Sequence, residues 1–316
     1  MPLFRRSDGS LVTGLPVMRR IMPYIMRGRN ESAVYVEVRC DVTSAKKWLW
    51  TYNRVVQGEQ CTFLHLFLYS ARLVLREFPQ LDRFVSARRI YQRKISTASL
   101  MVKESMKAEA PLYSVKLPLA DLGESLGDYS RRIADILRNA AKHNERAENE
   151  TGLLLKFPDL LVRAVLATRT WLDNWNLLPA SLLRDDPLYT SLFVSNAGSL
   201  GLPDAFHHLY EHGNCSGFAM IAALQKAPVA DWDGNIAVRD ILPIRWTIDD
   251  RVADGFVCAC ALKRFQSLME DPTQFLGPPD DAARSQSMTA ISQVSTPRHT
   301  ASQPRITAGP QHQEAK

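Results

Sequence analysis

No stretch of this chain approaches the roughly 18–20 uninterrupted apolar residues of a helical membrane span, and none is expected. Glycine is sparse, and no glycine-rich loop follows a strand-like run. With no regular βαβ rhythm either, this argues against a Rossmann or P-loop protein. The five cysteines (Cys40, Cys61, Cys215, Cys258, Cys260) are odd in number and widely scattered. The pair Cys258-x-Cys260 has the spacing of neither a zinc knuckle nor a redox motif, so all five read as small buried hydrophobes. No helix-turn-helix, zinc finger or RNP-type aromatic motif is present, and nucleic acid is not an expected partner. The opening Met-Pro-Leu-Phe-Arg-Arg lacks the apolar core of a secretory signal, which makes the cytoplasm the expected location.

What is present is the balance of a globular protein. Apolar residues make up 46% and charged residues 23% of the 316, enough for a sizeable core. The net charge of +6 is modest for this length, and its basic residues gather in two places. One holds Arg19, Arg20, Arg27 and Arg29; the other holds Arg83, Arg88, Arg89, Arg93 and Lys94. A phosphate-bearing ligand or plain solvated surface accounts for either.

Periodicity sets out the organisation. Residues 1–17 read as a polar leader, and Val17–Arg29 has helical spacing limited by Pro23. Ala33–Arg39 alternates like a half-buried strand. Cys61–Phe78 is an apolar helix stopped by Pro79, with strand-like runs at Lys94–Val102 and Tyr113–Leu117. Asp121 opens a long amphipathic helix reaching Ala140. Phe157–Leu183 is a second helical region, broken at Pro179. Strands follow at Ser191–Ser195, Ser216–Leu224, Ile236–Val238 and Ile241–Ile248, with Asp233-Gly234-Asn235 as a tight turn. A last helix spans Gly255–Met269. From 277 to 316 the chain has almost no large apolar residues and is expected to be disordered. The residues alone thus predict an α/β domain, a mixed sheet with helices packed on it, and a tail.

One segment carries a sharper signal: Ile248-Asp249-Asp250-Arg251-Val252-Ala253-Asp254-Gly255. It resembles the D-H-R-x-x-D-G signature of the acyltransferase (E2) component of 2-oxoacid dehydrogenase complexes, with Asp250 in the place of the histidine. Other pieces fall into the family's order: Arg19-Arg20-Ile21-Met22, Tyr35–Val38, Cys40–Thr43, Ala71–Leu81, Phe193–Gly198 and Leu268–Pro272. The resemblance covers residues 18–276. It implies the chloramphenicol-acetyltransferase-like fold, a mixed sheet flanked by helices, and a homotrimer with sites between subunits. It further implies coenzyme A or an acyl-CoA as substrate and a lipoyl-bearing or acyltransferase partner protein. Neither a lipoyl-bearing hairpin nor a peripheral-subunit-binding module is read in the chain, so no covalently bound lipoyl group is expected on it. Leu153–Pro187 looks like a helical insertion relative to the family. The tail beyond Leu276 is expected to obstruct assembly into a large cage.

In the family, a hydroxyl on the strand resembling Phe193–Gly198 donates to the oxyanion of the tetrahedral intermediate; by register this is Ser195. The histidine replaced by Asp250 is the general base. At reference values, moving a thiol proton to aspartate instead of histidine is worse by roughly 2.6 pKa units, or about 3.5 kcal/mol, a several-hundred-fold penalty. His207, His208 and His212 follow the Ser195 strand and are candidates for a replacement base. Without a carboxylate or cysteine at ligand spacing they are not expected to bind metal. Asp254 is assigned to the catalytic group. Arg251 and Asp254 are expected to hold the loop as buried ion-pair or hydrogen-bond formers, with Gly255 permitting close backbone approach. Two functions follow: an acyl-CoA-dependent acyltransferase with altered or reduced chemistry, or a catalytically inactive binding or scaffold subunit.

Overall fold

Alternation builds the centre of the molecule. Leu242, Ile244, Trp246 and Ile248 lie on one face of their strand and join the main core, where Trp246 packs on Phe67 and Phe265 at centroid distances of 5.5 and 5.0 Å. Burying each such side chain contributes roughly 1.5–3 kcal/mol. The intervening residues Arg245, Thr247 and Asp249 belong to the opposite face. The computed structural model describes residues 5–56, 59–103, 112–119, 123–231 and 233–284.

In chain order the elements are β1 (Gly9–Leu11), α1 (Val17–Ile25), β2 (Ala33–Asp41), α2 (Thr43–Val55), α3 (Phe63–Glu77), β3 (Arg83–Ser86), β4 (Arg89–Arg93), β5 (Thr97–Lys103), β6 (Leu112–Pro118), α4 (Leu126–Leu154), α5 (Asp159–Asn174), α6 (Ala180–Asp185), β7 (Leu192–Asn196), β8 (Gly217–Ile221), β9 (Gln225–Ala230), β10 (Ile236–Asp249), α7 (Gly255–Glu270), α8 (Thr273–Leu276) and α9 (Pro279–Arg284). The main sheet runs β2-β10-β8-β7-β5-β6, with β9 paired to the first half of β10. Pairings β5/β7 and β7/β8 are parallel and the rest antiparallel. Helices α3 and α7 pack on its apolar face. This is the mixed sheet flanked by helices that the resemblance implies.

Several expectations need correction. The leader is part of the fold: β1 pairs with β4, and Arg6 is buried beside the rings of Phe84 and Tyr91, ion-paired to Asp8 at 2.6 Å and Asp173 at 2.8 Å. Its chain neighbourhood is polar because its anchor is a cation with partners, not an apolar side chain. Strands β3 and β4 complete a three-stranded sheet with β1. Ile236–Val238 and Ile241–Ile248 form one strand, and the predicted turn closes the β9–β10 hairpin with Gly234 at φ 83°. Asp121 lies outside the described residues; Ser125 Oγ accepts the N–H of Asp128 at 3.1 Å where α4 begins. Folded chain also continues past Leu276, since Ala282 of α9 is buried and Trp48 donates to the Gly277 carbonyl at 3.0 Å. The remainder of the predicted tail, 285–316, lies outside the described residues.

The region 153–187 contributes α5 and α6. Helix α5 leaves Leu160, Val165, Leu166 and Trp171 exposed, while its Asp173 is buried against Arg6. No described helix is long and apolar enough to cross a membrane.

Candidate active site

Strand β10 ends at Asp249, whose carboxylate is almost wholly enclosed. It accepts from Arg251 Nε at 2.8 Å and Nη2 at 2.7 Å, from the Arg251 backbone N–H at 3.0 Å and from Ser32 Oγ at 2.9 Å. Arg251 Nη1 donates to the carbonyls of Met26 at 3.2 Å and Arg27 at 3.0 Å. Every nitrogen of the guanidinium is therefore engaged, and the group clamps the exit of α1 to the end of β10.

Asp250 follows in a turn and is half-buried. Its N–H donates to Ser32 O at 2.9 Å, and its carbonyl accepts from Arg19 Nη1. Its carboxylate stands near Cys258 on the first turn of α7. Burial pushes the Cys258 thiol up to about 11, with Asp250 and Asp254 adding to the rise and Arg19 opposing it. This thiol is protonated near neutral pH.

Ser195 is half-buried and paired in register with Met220, which is paired in turn with Arg245. It shares a face with Phe193, away from the main core, and among the described residues its hydroxyl has no hydrogen-bond partner. Asp250 lies two strands over and five residues further along. At about 4.8 Å between strands and 3.3 Å per residue, the two are roughly 19 Å apart in one protomer.

The three histidines separate. The His207 ring stacks on Phe218 at 4.6 Å, and its carbonyl accepts from Thr247 Oγ1 at 2.5 Å. Phe218 pairs with Phe193, on the face that carries Ser195. Burial, then the neighbouring His208, lowers the proton affinity of His207, so its ring is neutral at pH 7. His208 Nδ1 lies 3.1 Å from Leu209 O, and His212 Nε2 lies 3.2 Å from Asp186 Oδ2. Among the described residues, no three His, Cys, Asp or Glu side chains converge on a point fit for a metal ion.

Residues 180–277 match the family model for the 2-oxoacid dehydrogenases acyltransferase (catalytic domain). Over that stretch the chain resembles the 2-oxoacid dehydrogenase acyltransferases. The lipoamide acyltransferase component of the branched-chain alpha-keto acid dehydrogenase complex of Bacillus subtilis (strain 168) is 24% identical over 217 residues, 68% of this chain. The chain spans 40% of the length of that protein. Among solved structures, the cubic core of the pyruvate dehydrogenase multienzyme complex superposes with a TM-score of 0.55 at 18% identity, covering 83% of this chain and 93% of that one. A probable dihydrolipoamide acetyltransferase from Listeria monocytogenes 4b F2365 gives 0.54 at 18%, covering 83% and 94%. The Azotobacter vinelandii dihydrolipoamide acetyltransferase, investigated for the catalytic role of a serine, a histidine and an asparagine, gives 0.54 at 18%, covering 83% and 93%. At these identities the likeness establishes the fold, the chloramphenicol-acetyltransferase-like one.

Within that acyltransferase fold, the structure revises two motif residues. Asp254 holds the loop as a hydrogen-bond former, capping α7 by accepting the Val257 N–H at 2.9 Å, but it is exposed and not buried. Gly255 opens α7, and a Cβ there would meet nothing within 4 Å, so among the described residues no close backbone approach requires the glycine. Sequence reasoning also missed two neighbours of Asp250. Cys258 was discoverable, since it lies one helical turn beyond Asp254. The hydrogen bond of Arg19 to the Asp250 carbonyl spans 231 positions and leaves no local signal.

Proposed function

We propose that this chain is a cytoplasmic acyltransferase that takes acyl groups from coenzyme A thioesters, with Ser195 stabilising the oxyanion and His207 as the base. The placement of His207 carries this reading: its ring lies on Phe218, one strand across and two residues along from Ser195 on the same face. That offset corresponds to roughly 8 Å between backbone positions, a gap two side chains and a bound substrate can bridge. Asp250 of the same protomer is out of reach of Ser195.

The neutral imidazole takes the proton of the acceptor, a thiol, alcohol or amine, as the acceptor attacks the thioester carbonyl. The oxyanion that forms receives the Ser195 O–H. On collapse, the C–S bond breaks and the departing thiolate takes the proton back from the imidazolium. In a homotrimer with sites between copies, Asp250 of a neighbouring subunit is the competing base. In support of Asp250 standing at a base's position, the histidine and asparagine named for the Azotobacter enzyme are four residues apart, as are Asp250 and Asp254.

A second reading, a retired subunit that binds acyl-CoA or a lipoyl-bearing partner, is favoured by Asp250 at the histidine position. Thiol release from acetyl-CoA and longer acyl-CoAs, with candidate acceptors, separates the two. Turnover in the wild type that disappears in Ser195→Ala and His207→Ala is the expected result. A silent wild type that gains turnover in Asp250→His establishes the retired subunit instead.

A further inference from the structure

The two basic clusters of the sequence, distant along the chain, meet in the fold. Arg27 and Arg29 from the α1–β2 connection and Arg88 from the β3–β4 turn line one cleft of about 280 Å³, closed by the end of α5 and residues 211–213. This approaches the size of small-ligand sites.

Its charge does not cancel. Of the lining groups, Arg251 is neutralised by Asp249, while Asp173 shares the single charge of Arg6 with Asp8. That leaves three cations, Arg27, Arg29 and Arg88, facing Glu211 and the uncompensated part of Asp173, so positive charge is still in excess. Glu211 is already occupied by backbone N–H groups of Arg29 at 3.1 Å and Asn30 at 2.9 Å. The buried Arg29 guanidinium donates to main-chain carbonyls, among them Val85 at 3.4 Å and Gly213 at 2.5 Å, and so is fixed without being neutralised. Arg27 and Arg88 are exposed and make no ion pair with a described residue. Arg88 rests over the Tyr24 ring at 5.6 Å.

The turn itself is strained. Ala87 and Arg88 both adopt left-handed backbone, φ 47° and 61°, where Asn-Gly would be relaxed. Such strain persists where the surrounding structure holds it, often at ligand clamps, and here it sets Arg88 at the rim.

We propose that this cleft binds the phosphate groups of a small-molecule substrate. Guanidinium forks match phosphate oxygens in pairs, and two free forks beside a fixed one suit a phosphate dianion. The ligand is the nucleotide end of a coenzyme A thioester, as the acyl-transfer reading would supply, or a phosphorylated acyl acceptor.

Calorimetric titration of the full chain with adenosine 3′,5′-bisphosphate and with inorganic phosphate tests it, in wild type, Arg27→Ala and Arg88→Ala. Binding that weakens about tenfold in each variant, and weakens with added salt, is expected. Displacement of the bisphosphate by coenzyme A assigns the site to the nucleotide; phosphate binding that coenzyme A leaves untouched assigns it to the acceptor. No binding of either anion, or affinities equal in all three proteins, overturns the proposal. Thiol release on the same proteins is read separately. Arginine-dependent binding without turnover keeps the cleft and refutes acyl transfer, whereas turnover with arginine-independent binding refutes the cleft alone.

Discussion

Truncation of Asp249 to alanine is expected to be among the most damaging single changes in this chain, through stability and not through chemistry. The side chains of Asp249 and Arg251 retain 1% and 3% of their exposure. Removing the carboxylate deletes both bonds from the guanidinium, together with those from the Arg251 N–H and Ser32 Oγ, and strands a guanidinium away from water. Only the Met26 and Arg27 carbonyls remain to it. Breaking one partner of a buried pair destabilises by about 3–5 kcal/mol. Ser32 adds little, because its hydroxyl keeps the Gly28 and Arg29 carbonyls at 3.0 and 3.2 Å. At about 2–3 °C per kcal/mol for a domain of this size, the melting temperature falls by about 6–15 °C. Differential scanning calorimetry reads this directly. The paired replacement Asp249→Leu with Arg251→Met should recover most of the loss, since a buried pair is often replaceable by apolar residues of similar volume. A melting temperature for Asp249→Ala within about 2 °C of wild type would refute the burial and the clamp together.

Three further outcomes are expected. His207→Ala should lower kcat by about 10²–10⁴-fold while Asp250→Asn changes it less than about threefold; the reverse order would return the base to the motif position. Mixed and reassembled Ser195→Ala and His207→Ala chains should show no recovery, because both groups belong to one protomer. Recovery of about one quarter in a Ser195→Ala and Asp250→Asn mixture, the share of interfaces with both groups intact, would instead place the base across a trimer interface. Lys116, pushed down to about 8 by burial, binds fewer protons folded than unfolded from pH 8 to the ordinary lysine value of 10.5. The wild type should therefore gain stability over Lys116→Met as pH rises through that window. Urea midpoints at pH 7.5 and 9 for the two proteins would show a constant difference if the lysine were not perturbed.

The strands that build the site were legible because one face of each is buried and the other is not, as in Ile241–Ile248 and in Phe193–Ser195. The small sheet was not. The β3–β4 connection uses Ala87 and Arg88 in a conformation normally signalled by asparagine or glycine, so the hairpin has no turn signature. Strand β9 contains Pro228 and two alanines, and it is held by its pairing with β10, not by its own propensity. Arg6 reads as a surface residue by type, and only its distant partners Ser86, Asp173 and the ring of Phe84 make it a core residue. The same limit governs the site. The motif located Asp250 and its register located Ser195, but which histidine lies over that face depends on the path of the loop from 197 to 216.

The motif's survival around a replaced histidine therefore carries less functional weight than its letters imply. Arg251 is accounted for by the buried carboxylate of Asp249, and Asp254 by the first turn of α7. A chain that had abandoned catalysis would still lose several kcal/mol by losing the clamp. Ser195 stands differently: its hydroxyl has no partner among the described residues, and it faces away from the main core. Replacing it with alanine should leave the melting temperature unchanged within about 1 °C, as for a surface substitution without partners. Unchanged stability with abolished thiol release would mean that the hydroxyl serves the reaction. A large loss of stability would show that Ser195, like Arg251, belongs to the scaffold, and the case for turnover would then rest on His207 alone.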